Sequence, residues 1–346
     1  MTYVFRSSET DPFRRGREFG AIHKDQVRDT LRSYQALFAA LAGAPVALDD
    51  LGAEALAAIG QHAPAYKAEI EGIAAGAEIA PALLGALNAR TEILARLKLR
   101  SRGECSAIVH ADYGAGKPVA LQNWDWYEGL VDRWVIWEIP HADGSMTTTF
   151  TEFGILGKIG INSHGVGLLF TILSHEADGG AFGLPVHLAA RQALDQGMHL
   201  NRAMQTLAAA KVSASSSMTL VSDEAGTASA VSTELYPGGV GFVFPDEKGW
   251  LVRTNHFLTE RPHQSDLSIR AFPDTLLRHH VLTRQLARLG KPALPDIIKC
   301  MRCGVGGDGA VFATPNTDQP DEPQFVTVAT IQLDFERRSL NILEKA

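Results

Sequence analysis

Residues 102–109 read RGECSAIV, and the pattern of the chain changes at this run. Before it, apolar residues recur at three- and four-residue steps, which is typical of amphipathic helices. After it, short apolar runs alternate with turn signals such as Ala142-Asp143-Gly144, which is typical of strands. Because strands and helices occur in separate blocks, the sequence predicts an α+β fold with layered antiparallel sheets rather than repeated βαβ units.

The helical pattern covers most of residues 1–104. The spacing of Phe19, Ile22, Val27 and Leu31 predicts one long helix over 14–42. Further helices are predicted at 50–61, 64–78, 81–94, 185–196, 200–210, 273–289 and 293–303. Strands are predicted at 105–110, 119–124, 132–139, 146–152, 157–162, 166–172, 217–222, 227–233, 239–244, 250–254, 325–334 and 338–343. The stretch 304–324 is rich in Gly, Pro, Asp and Asn, which predicts a long loop of the kind that is often functional.

The composition is that of an ordinary globular protein, since 45% of the 346 residues are hydrophobic and 21% are charged. We expect one compact domain, which is common at this length. The net charge of -7 argues against nucleic acid or an anionic membrane as a partner. The chain shows no signal sequence and no apolar run long enough to span a bilayer. Three cysteines are too few for a disulfide framework, so we expect a cytoplasmic protein.

Cys105 stands at the first position of the first strand after the helical segment. Most free cysteines are small buried residues without a chemical role, and that interpretation stays open. A nucleophilic thiol needs a neighbouring base or a lowered pKa. If the chain is cut between Glu104 and Cys105, the new α-amino group, with a reference pKa of about 7.7–8.0, becomes a base within the same residue. The position therefore allows an N-terminal cysteine nucleophile.

A second informative run is QNWDW at residues 122–126. Alternating tryptophans on a strand are often core residues. Because side chains alternate along a strand, Asn123 and Asp125 share one face, opposite Trp124 and Trp126. A buried carboxylate needs partners. An α-ammonium group on Cys105 would be a suitable partner for Asp125.

Two further runs lie at turns. The run GKIGINSHGVG at 157–167 has the pattern of a hairpin, and its glycines would allow close approach of a ligand or another backbone. The run RTNHF at 253–257 ends a strand, and its Asn255 is a candidate donor to a developing oxyanion. Its His256 is a candidate base, metal ligand or solvated histidine. No second ligand lies at helical spacing from His256, so we expect no metal site.

Two other patterns do not predict a function. Cys300 and Cys303 have C-x-x-C spacing, but neither a second pair nor a thioredoxin-like context accompanies them, so we expect a structural role. The glycine-rich run at 304–309 lacks the Lys-Ser/Thr ending of a phosphate loop. The sequence therefore predicts neither a metal nor an organic cofactor.

Taken together, these runs resemble one family. NARTE at 88–92, ECS at 104–106, QNWDW at 122–126, the run at 157–167 and TNH at 254–256 occur in the order found in the acyl-coenzyme A:6-aminopenicillanic acid acyltransferase family. The resemblance extends from about residue 15 to the terminal hairpin. It implies an αββα four-layer sandwich of the N-terminal-nucleophile type, made as a precursor that cuts itself just before a nucleophilic Cys.

The resemblance also implies roles for particular residues. Cys105 would be the nucleophile, Asp125 would interact with its freed amine, and Asn255 would line the oxyanion hole. The hairpin at 160–167 would border the substrate cleft. We expect the substrate-binding residues to be Asn123, Trp124, Trp126, Asn162 and His256.

Two positions depart from the family pattern. Glu104 stands where the penicillin enzyme has Gly before its Cys, so the processing step is expected to be slower or differently assisted. Gln324 stands where that enzyme has Arg, which argues against a penicillin substrate.

The implied protein is a self-processing cysteine amide hydrolase or acyltransferase. It would act on a small N-acyl amide or acyl thioester through a thioester on Cys105. Residues 1–104 would be released as a small subunit and stay bound to the catalytic chain 105–346, because the apolar faces of its helices need burial. The acyl group, the amine and the oligomeric state are left open, a homo-oligomer included.

Two other interpretations compete with this one. The first is an unprocessed thiol hydrolase that uses Cys105 with His256. The second is a non-enzymatic binding protein that retains the same fold.

Overall fold

The structure is a computed structural model that describes residues 3–99, 105–112, 116–224, 226–289, 293–319 and 322–345. Glu104, the residue predicted to precede the cleaved bond, lies outside the described residues. The helices are α1 (Pro12–Ile22), α2 (Lys24–Ala42), α3 (Leu48–His62), α4 (Pro64–Ala77), α5 (Pro81–Asn88), α6 (Arg90–Arg96), α7 (Val186–Gln196), α8 (Leu200–Ala209), α9 (Glu260–His263), α10 (Ser268–Ala271), α11 (Asp274–Leu286) and α12 (Leu294–Met301). The strands are β1 (Val4–Arg6), β2 (Ser106–His110), β3 (Val119–Tyr127), β4 (Trp134–Pro140), β5 (Met146–Glu152), β6 (Ile159–Asn162), β7 (Val166–Ile172), β8 (Ser216–Glu224), β9 (Thr227–Tyr236), β10 (Gly239–Val243), β11 (Trp250–Arg253), β12 (Phe325–Asp334) and β13 (Ser339–Lys345).

The single helix predicted over 14–42 is two helices, because the backbone turns at His23 between α1 and α2. The ring of His23 is fully buried and packs edge-on against Phe5 and Phe19 at centroid distances of 4.8 Å each. The aromatic cluster around His23 therefore sets the position of the break between α1 and α2, although the apolar periodicity of the sequence continues through it. The start of α1 follows from local signals, since the side chain of Asp11 accepts a hydrogen bond from the Arg14 N–H at 2.9 Å and Pro12 follows it.

The strands form two sheets. One has the order β1-β4-β5-β6-β7-β8-β9-β10, and the other has the order β11-β2-β3-β12-β13. All pairings are antiparallel, as predicted, except that β1 pairs with β4 in parallel. Strand β1 was not predicted, because three residues are too few to show an alternating pattern.

The layers are arranged as helices, sheet, sheet and helices. Helices α7 and α8 pack on the eight-stranded sheet, α11 and α12 pack on the five-stranded sheet, and the two sheets contact each other through β2 and β3 with β7 and through β13 with β5 and β6. This arrangement confirms the predicted α+β class and the αββα layering. None of the helices in the described part of the chain is long and apolar enough to cross a membrane.

The helices before Cys105 belong to the same hydrophobic core as the sheets. Phe19 and Phe38 of the N-terminal helices lie in one buried cluster with Trp124, Trp137 and Phe150 of the strands. Asn88 adds polar contacts, because its Nδ2 donates to the Gly154 oxygen at 2.8 Å and its Oδ1 accepts from the Leu156 N–H at 3.0 Å. The helical segment is thus packed into the sandwich rather than placed beside it.

Candidate active site

Cys105 lies directly before β2, the second strand of the five-stranded sheet, and is only 5% exposed. Its thiol donates a long hydrogen bond to the Asp125 main-chain oxygen at 3.8 Å. Burial raises the pKa of the Cys105 thiol to about 11, and the nearby Asp125 carboxylate contributes to the rise. In the continuous chain the sulfur is therefore a protonated thiol at neutral pH, and it needs a base before it can act as a nucleophile.

Asp125 lies on β3, which pairs with β2, and its side chain is fully buried. Its Oδ1 accepts a hydrogen bond from the Thr327 hydroxyl at 2.6 Å, and that hydroxyl accepts from the Ala313 N–H at 2.8 Å. Thr327 stands opposite Asp125 on β12. The strand pairing thus holds a carboxylate next to the residue that carries the thiol.

Asn255 follows β11, the neighbour of β2 on its other side. Its Nδ2 donates to the Ile172 oxygen at 2.9 Å, and its main-chain N–H donates to the Thr275 hydroxyl at 2.8 Å. A carboxamide carries two N–H groups, and no second acceptor for this one is found among the described residues. The side chain is therefore fixed between the ends of β11 and β7, and its second N–H has no acceptor among the described residues.

Arg278 of α11 connects these parts, and the sequence did not predict it. Its Nη1 donates to the Cys105 oxygen at 3.0 Å and to the Ser106 hydroxyl at 3.2 Å. Its Nη2 donates to Asn255 Oδ1 at 3.2 Å, and Asp274 balances its charge at 3.2 Å. One buried guanidinium thus spans the Cys105 main chain and the Asn255 side chain. The available signal was an Arg on the buried stripe of α11, between Thr275 and Leu282.

A second buried charge cluster lies on the tryptophan face of β3. The Lys158 ammonium contacts Glu152 Oε2 at 2.5 Å, and Arg90 Nη2 contacts the same oxygen at 3.0 Å. The Tyr34 hydroxyl donates to the other oxygen of Glu152. All four side chains are buried. The sequence did not predict this cluster, although Arg90 and Lys158 lie in runs that it singled out.

Trp124 and Trp126 pack against the two cations of this cluster. Lys158 Nζ lies 3.7 Å from the centroid of the Trp124 ring, and the Arg90 guanidinium lies 4.6 Å from that of Trp126. The Trp126 Nε1–H donates to the Tyr34 hydroxyl at 2.9 Å. Both tryptophans are at most 2% exposed, so a substrate could reach them only if the core around them opened.

Asn123 and Asn162, both predicted to bind substrate, are saturated by protein partners. Asn123 Nδ2 donates to the oxygens of Met301 at 2.9 Å and Val311 at 2.7 Å, which holds the loop after α12 against β3. Asn162 Nδ2 donates to the Leu194 oxygen at 2.8 Å, and its Oδ1 accepts main-chain N–H groups of the β6–β7 turn. Substrate binding by either side chain would require these bonds to break.

His256 is buried beside Asn255 and bonds to two threonine hydroxyls. Its Nδ1 lies 3.1 Å from the Thr254 hydroxyl and 3.0 Å from the Thr275 hydroxyl, and none of the hydrogen bonds between described residues links it to Cys105. Burial, with help from the neighbouring His279, lowers the pKa of His256 to about 3. A ring so weakly basic is a poor partner for a thiol. Among the described residues, no group of three or more His, Cys, Asp or Glu side chains could hold a metal.

A pocket of about 490 Å³ lies among α6, the chain after β7 and α10. It is bordered by the chain just after β7, whose Ile172 bonds to Asn255, and by Phe272 at the end of α10. Leu99, the last described residue before the predicted cleavage site, lies on its wall. Its other described lining residues are Ala95, Lys98, Ser174, His175, Glu176, Asp178, Leu267, Ser268, Arg270 and Ala271. The volume is that of a small-molecule site.

Glu92 of α6 makes the contact between the helical segment and α7 sensitive to pH. Its Oε1 accepts the Val186 N–H at 2.8 Å, and burial raises the pKa of its carboxyl to about 7 from 4.5. A carboxyl group whose pKa is higher in the folded than in the unfolded state stabilises the fold at pH values below its unfolded-state pKa. That stability is lost as pH rises through the folded-state pKa. The size of the loss is about 3 kcal/mol.

We therefore expect Glu92→Gln to remove this pH dependence. In urea titrations of an uncut Cys105→Ala chain, the contribution of Glu92 to the free energy of unfolding, taken as the parent minus Glu92→Gln, should fall between pH 4.5 and about 7. Glu54→Gln, which changes a carboxylate in an exposed ion pair with Arg96, should keep the pH profile of the parent. Equal pH profiles for Glu92→Gln and the parent chain would contradict this expectation.

The fold and the site define a layered αββα protein with a buried thiol directly before an interior strand. The chain belongs to the acyl-coenzyme A:6-aminopenicillanic acid acyl-transferase family, whose model matches residues 113–306. The matched region contains Asp125, Lys158, Asn255 and Arg278, and it begins after Cys105.

One curated relative is the acyl-coenzyme A:6-aminopenicillanic-acid-acyltransferase 40 kDa form of Emericella nidulans, which is 31% identical over 222 residues. That match covers 63% of this chain and 59% of the relative, so it spans about three fifths of the relative's length. Two solved structures also match. The Caenorhabditis elegans N-acylethanolamine-hydrolyzing acid amidase ortholog is 14% identical with a TM-score of 0.47, and it covers 69% of this chain and 100% of its own. The penicillin V acylase from Agrobacterium tumefaciens is 16% identical with a TM-score of 0.48, and it covers 70% of this chain and 83% of its own.

Proposed function

We propose that this protein is a self-processing amide hydrolase or acyltransferase with Cys105 as its N-terminal nucleophile. The observation that carries the proposal is the Arg278 guanidinium, which donates both to the Cys105 oxygen at 3.0 Å and to Asn255 Oδ1 at 3.2 Å. It holds the main chain of the nucleophile and a candidate oxyanion donor in one fixed arrangement. Family membership supports an acyl-transfer activity of this kind.

The base for turnover would be the α-amine of Cys105 itself. A thiol with a pKa of about 11 is a weak nucleophile at neutral pH. Cleavage before Cys105 exposes an amine with a reference pKa of about 7.7–8.0, which can take the thiol proton. Asp125, held by Thr327 at 2.6 Å, would orient the resulting ammonium.

In a catalytic cycle the thiolate would attack the carbonyl carbon of a small N-acyl amide. The oxygen of the tetrahedral intermediate would accept a hydrogen bond from the second side-chain N–H of Asn255. The C–N bond would then break, the leaving amine would take a proton from the Cys105 ammonium, and the acyl group would remain as a thioester on Sγ. Water would release the acid, whereas an acceptor amine would give acyl transfer.

We expect Asn255→Ala to lower kcat for amide turnover by about 10²–10³-fold, because an oxyanion donor acts mainly in the transition state. The measurement is steady-state hydrolysis of a panel of N-acyl amides by the processed protein. Asn201→Ala, an exposed position on α8, serves as the control and should leave kcat unchanged. If kcat of Asn255→Ala equals that of the control, Asn255 does not stabilise the oxyanion.

The two fragments would remain associated after cleavage. The Arg90–Glu152 ion pair at 3.0 Å and the Glu92–Val186 hydrogen bond at 2.8 Å both join residues before Cys105 to residues after it. The shared hydrophobic core adds a larger contribution, since fully burying one large apolar side chain stabilises by about 1.5–3 kcal/mol.

The substrate would enter through the 490 Å³ pocket, whose wall includes Ser174, two residues after the Ile172 that bonds to Asn255. Its wall combines apolar residues such as Leu99 and Phe272 with the charged ends of Lys98 and Arg270. A small amphipathic amide or acyl thioester fits that lining. Because the three cysteines are free and the nucleophile must stay reduced, we also propose a reducing compartment such as the cytoplasm.

Denaturing mass spectrometry of freshly purified protein tests the proposal. We expect two masses, which correspond to residues 1–104 and 105–346 and add up to the full chain plus one water. Native mass spectrometry should then show both fragments in one particle. A single intact chain that persists for days would contradict self-processing.

A further inference from the structure

We propose that Lys158 is the base that takes the thiol proton of Cys105 during self-cleavage, before the α-amine exists. This inference rests on the self-processing function proposed above. In the continuous chain the nitrogen of Cys105 is part of a peptide bond and cannot accept a proton. The first attack therefore needs a different base from the later turnovers.

The position of Lys158 fits this role. Ser106 stands opposite Asn123 in the β2–β3 pairing, so the next position of the same register places Cys105 opposite Trp124. The thiol and the Trp124 ring belong to the same buried cluster. Lys158 Nζ lies 3.7 Å from the centroid of that ring. The amine and the thiol thus lie on the same face of β3, next to one indole.

The charges around Lys158 allow it to be neutral. Glu152 is the carboxylate partner of both Lys158, at 2.5 Å, and Arg90, at 3.0 Å. If Lys158 loses its proton, Arg90 remains as the counterion of Glu152, and the cluster becomes electrically balanced. The charged and titratable groups that face Lys158 from the neighbouring elements are Glu152 on β5, Arg90 on α6, Cys105 before β2, His187 on α7 and, through Glu152, Tyr34 on α2.

The resulting basicity suits a proton acceptor at neutral pH. Burial lowers the pKa of Lys158 to about 7, with Arg90 lowering it further and Glu152 opposing the change. The other titratable groups nearby are less suitable. His187 is stacked on Phe170, and burial together with Arg90 and Lys158 holds its pKa well below 6.5. His256 has no hydrogen bond toward the thiol among the described residues.

The cleavage step balances as follows. Neutral Lys158 takes the proton from Sγ, and the thiolate attacks the carbonyl carbon of Glu104. The bond from that carbon to the Cys105 nitrogen breaks, and the nitrogen takes the proton back from the Lys158 ammonium. The product is a free α-amine and a thioester between Glu104 and Sγ. Water then hydrolyses the thioester to the Glu104 carboxylate and the Cys105 thiol.

The experiment follows the conversion of pulse-labelled, cell-free translated chain into fragments across a pH series. For the wild type we expect a rate that rises as pH passes about 7 and then levels, because only neutral Lys158 accepts a proton. Lys158→Met should be slower by about 10²-fold or more at neutral pH. Its rate should keep rising toward the thiol's own pKa of about 11. Lys158→Arg keeps a cation but cannot become neutral, so it should be as slow as Lys158→Met.

Arg15→Met is the matched control, because it breaks another buried ion pair, with Glu69 at 2.8 Å, which joins α1 to α4. It should cleave at the wild-type rate with the wild-type pH profile. If Arg15→Met and Lys158→Met lose the same amount of cleavage, the effect is one of stability and the inference is overturned. Cleavage of Lys158→Met at the wild-type rate overturns it as well. A wild-type chain that never cleaves would instead refute the proposed function itself.

Discussion

Replacing Cys105 by Ala is expected to leave the chain in one piece and to abolish turnover. The proposed cleavage and the proposed acyl transfer both use this thiol as the nucleophile. Loss of a nucleophile in comparable enzymes lowers kcat by roughly 10⁶-fold. The variant should show one mass, that of the full 37.3 kDa chain, and no detectable hydrolysis of N-acyl amides. Because Cys105 is small and 5% exposed, Ala fits its place with little disturbance of the fold.

Cys300→Ala is the matched control for this result. Cys300 is also a buried free cysteine, but it lies in the separate cluster under α11 and α12. The Cys300→Ala chain should therefore cleave and turn over like the wild type. Cleavage at the same bond in Cys105→Ala would show that another group attacks Glu104. Retained amide hydrolysis in that variant would remove Cys105 from the mechanism altogether.

Arg278→Met is expected to cause a large loss of stability. The substitution removes the donor that Cys105, Ser106 and Asn255 share, and it leaves the Asp274 carboxylate without its partner. The buried Cys105 oxygen and Asn255 Oδ1 each lose a donor, which costs about 1–3 kcal/mol per group, and the partly exposed Asp274 adds less than a buried carboxylate would. The free energy of unfolding, measured by urea titration in the uncut Cys105→Ala chain, should fall by about the sum of these costs.

The same substitution should also affect cleavage in an otherwise wild-type chain. Without the guanidinium, the Cys105 main chain and the Asn255 side chain lose their common anchor, so the fragments should form more slowly. Arg278→Lys should be intermediate, because an ammonium cannot reproduce the fork of donors. Arg302→Met is the control, since its ion pair with Glu344 is exposed and contributes about 0–1 kcal/mol. A change in stability for Arg278→Met no larger than that of the control would contradict this account.

Several parts of the fold followed from the sequence because their causes are local. The alternation in QNWDW predicted opposite faces for Asp125 and Trp124, and the structure confirms it through Thr327 on one side and Phe150 on the other. The break at His23 was missed, because it depends on aromatic rings contributed by β1. Strand β1 itself was missed because its register is set by β4, more than a hundred residues away.

Some residues of the candidate site could likewise be recognised from the sequence, whereas others could be recognised only from their contacts in the structure. Cys105 could be recognised because the sequence alone shows a cysteine at the junction of a helical and a strand-rich segment. Lys158 and Arg90 lay inside runs that were noticed, but their shared partner Glu152 was not, since nothing in the spacing links it to them. Arg278 resembled any residue of an amphipathic helix until its contacts were seen.

The sequence by itself determined the class and order of most of the elements, the alternation of faces along β3 and the place of a thiol directly before β2. These depend on periodicity over a few residues, which the chain carries locally. Only the tertiary structure decided which charges meet. Arg278 reaches Cys105 across 173 positions, and Tyr34 reaches Glu152 across 118. Such contacts are set by the packing of layers and leave no local signal, because burial pairs a charge with whichever opposite charge the fold places beside it.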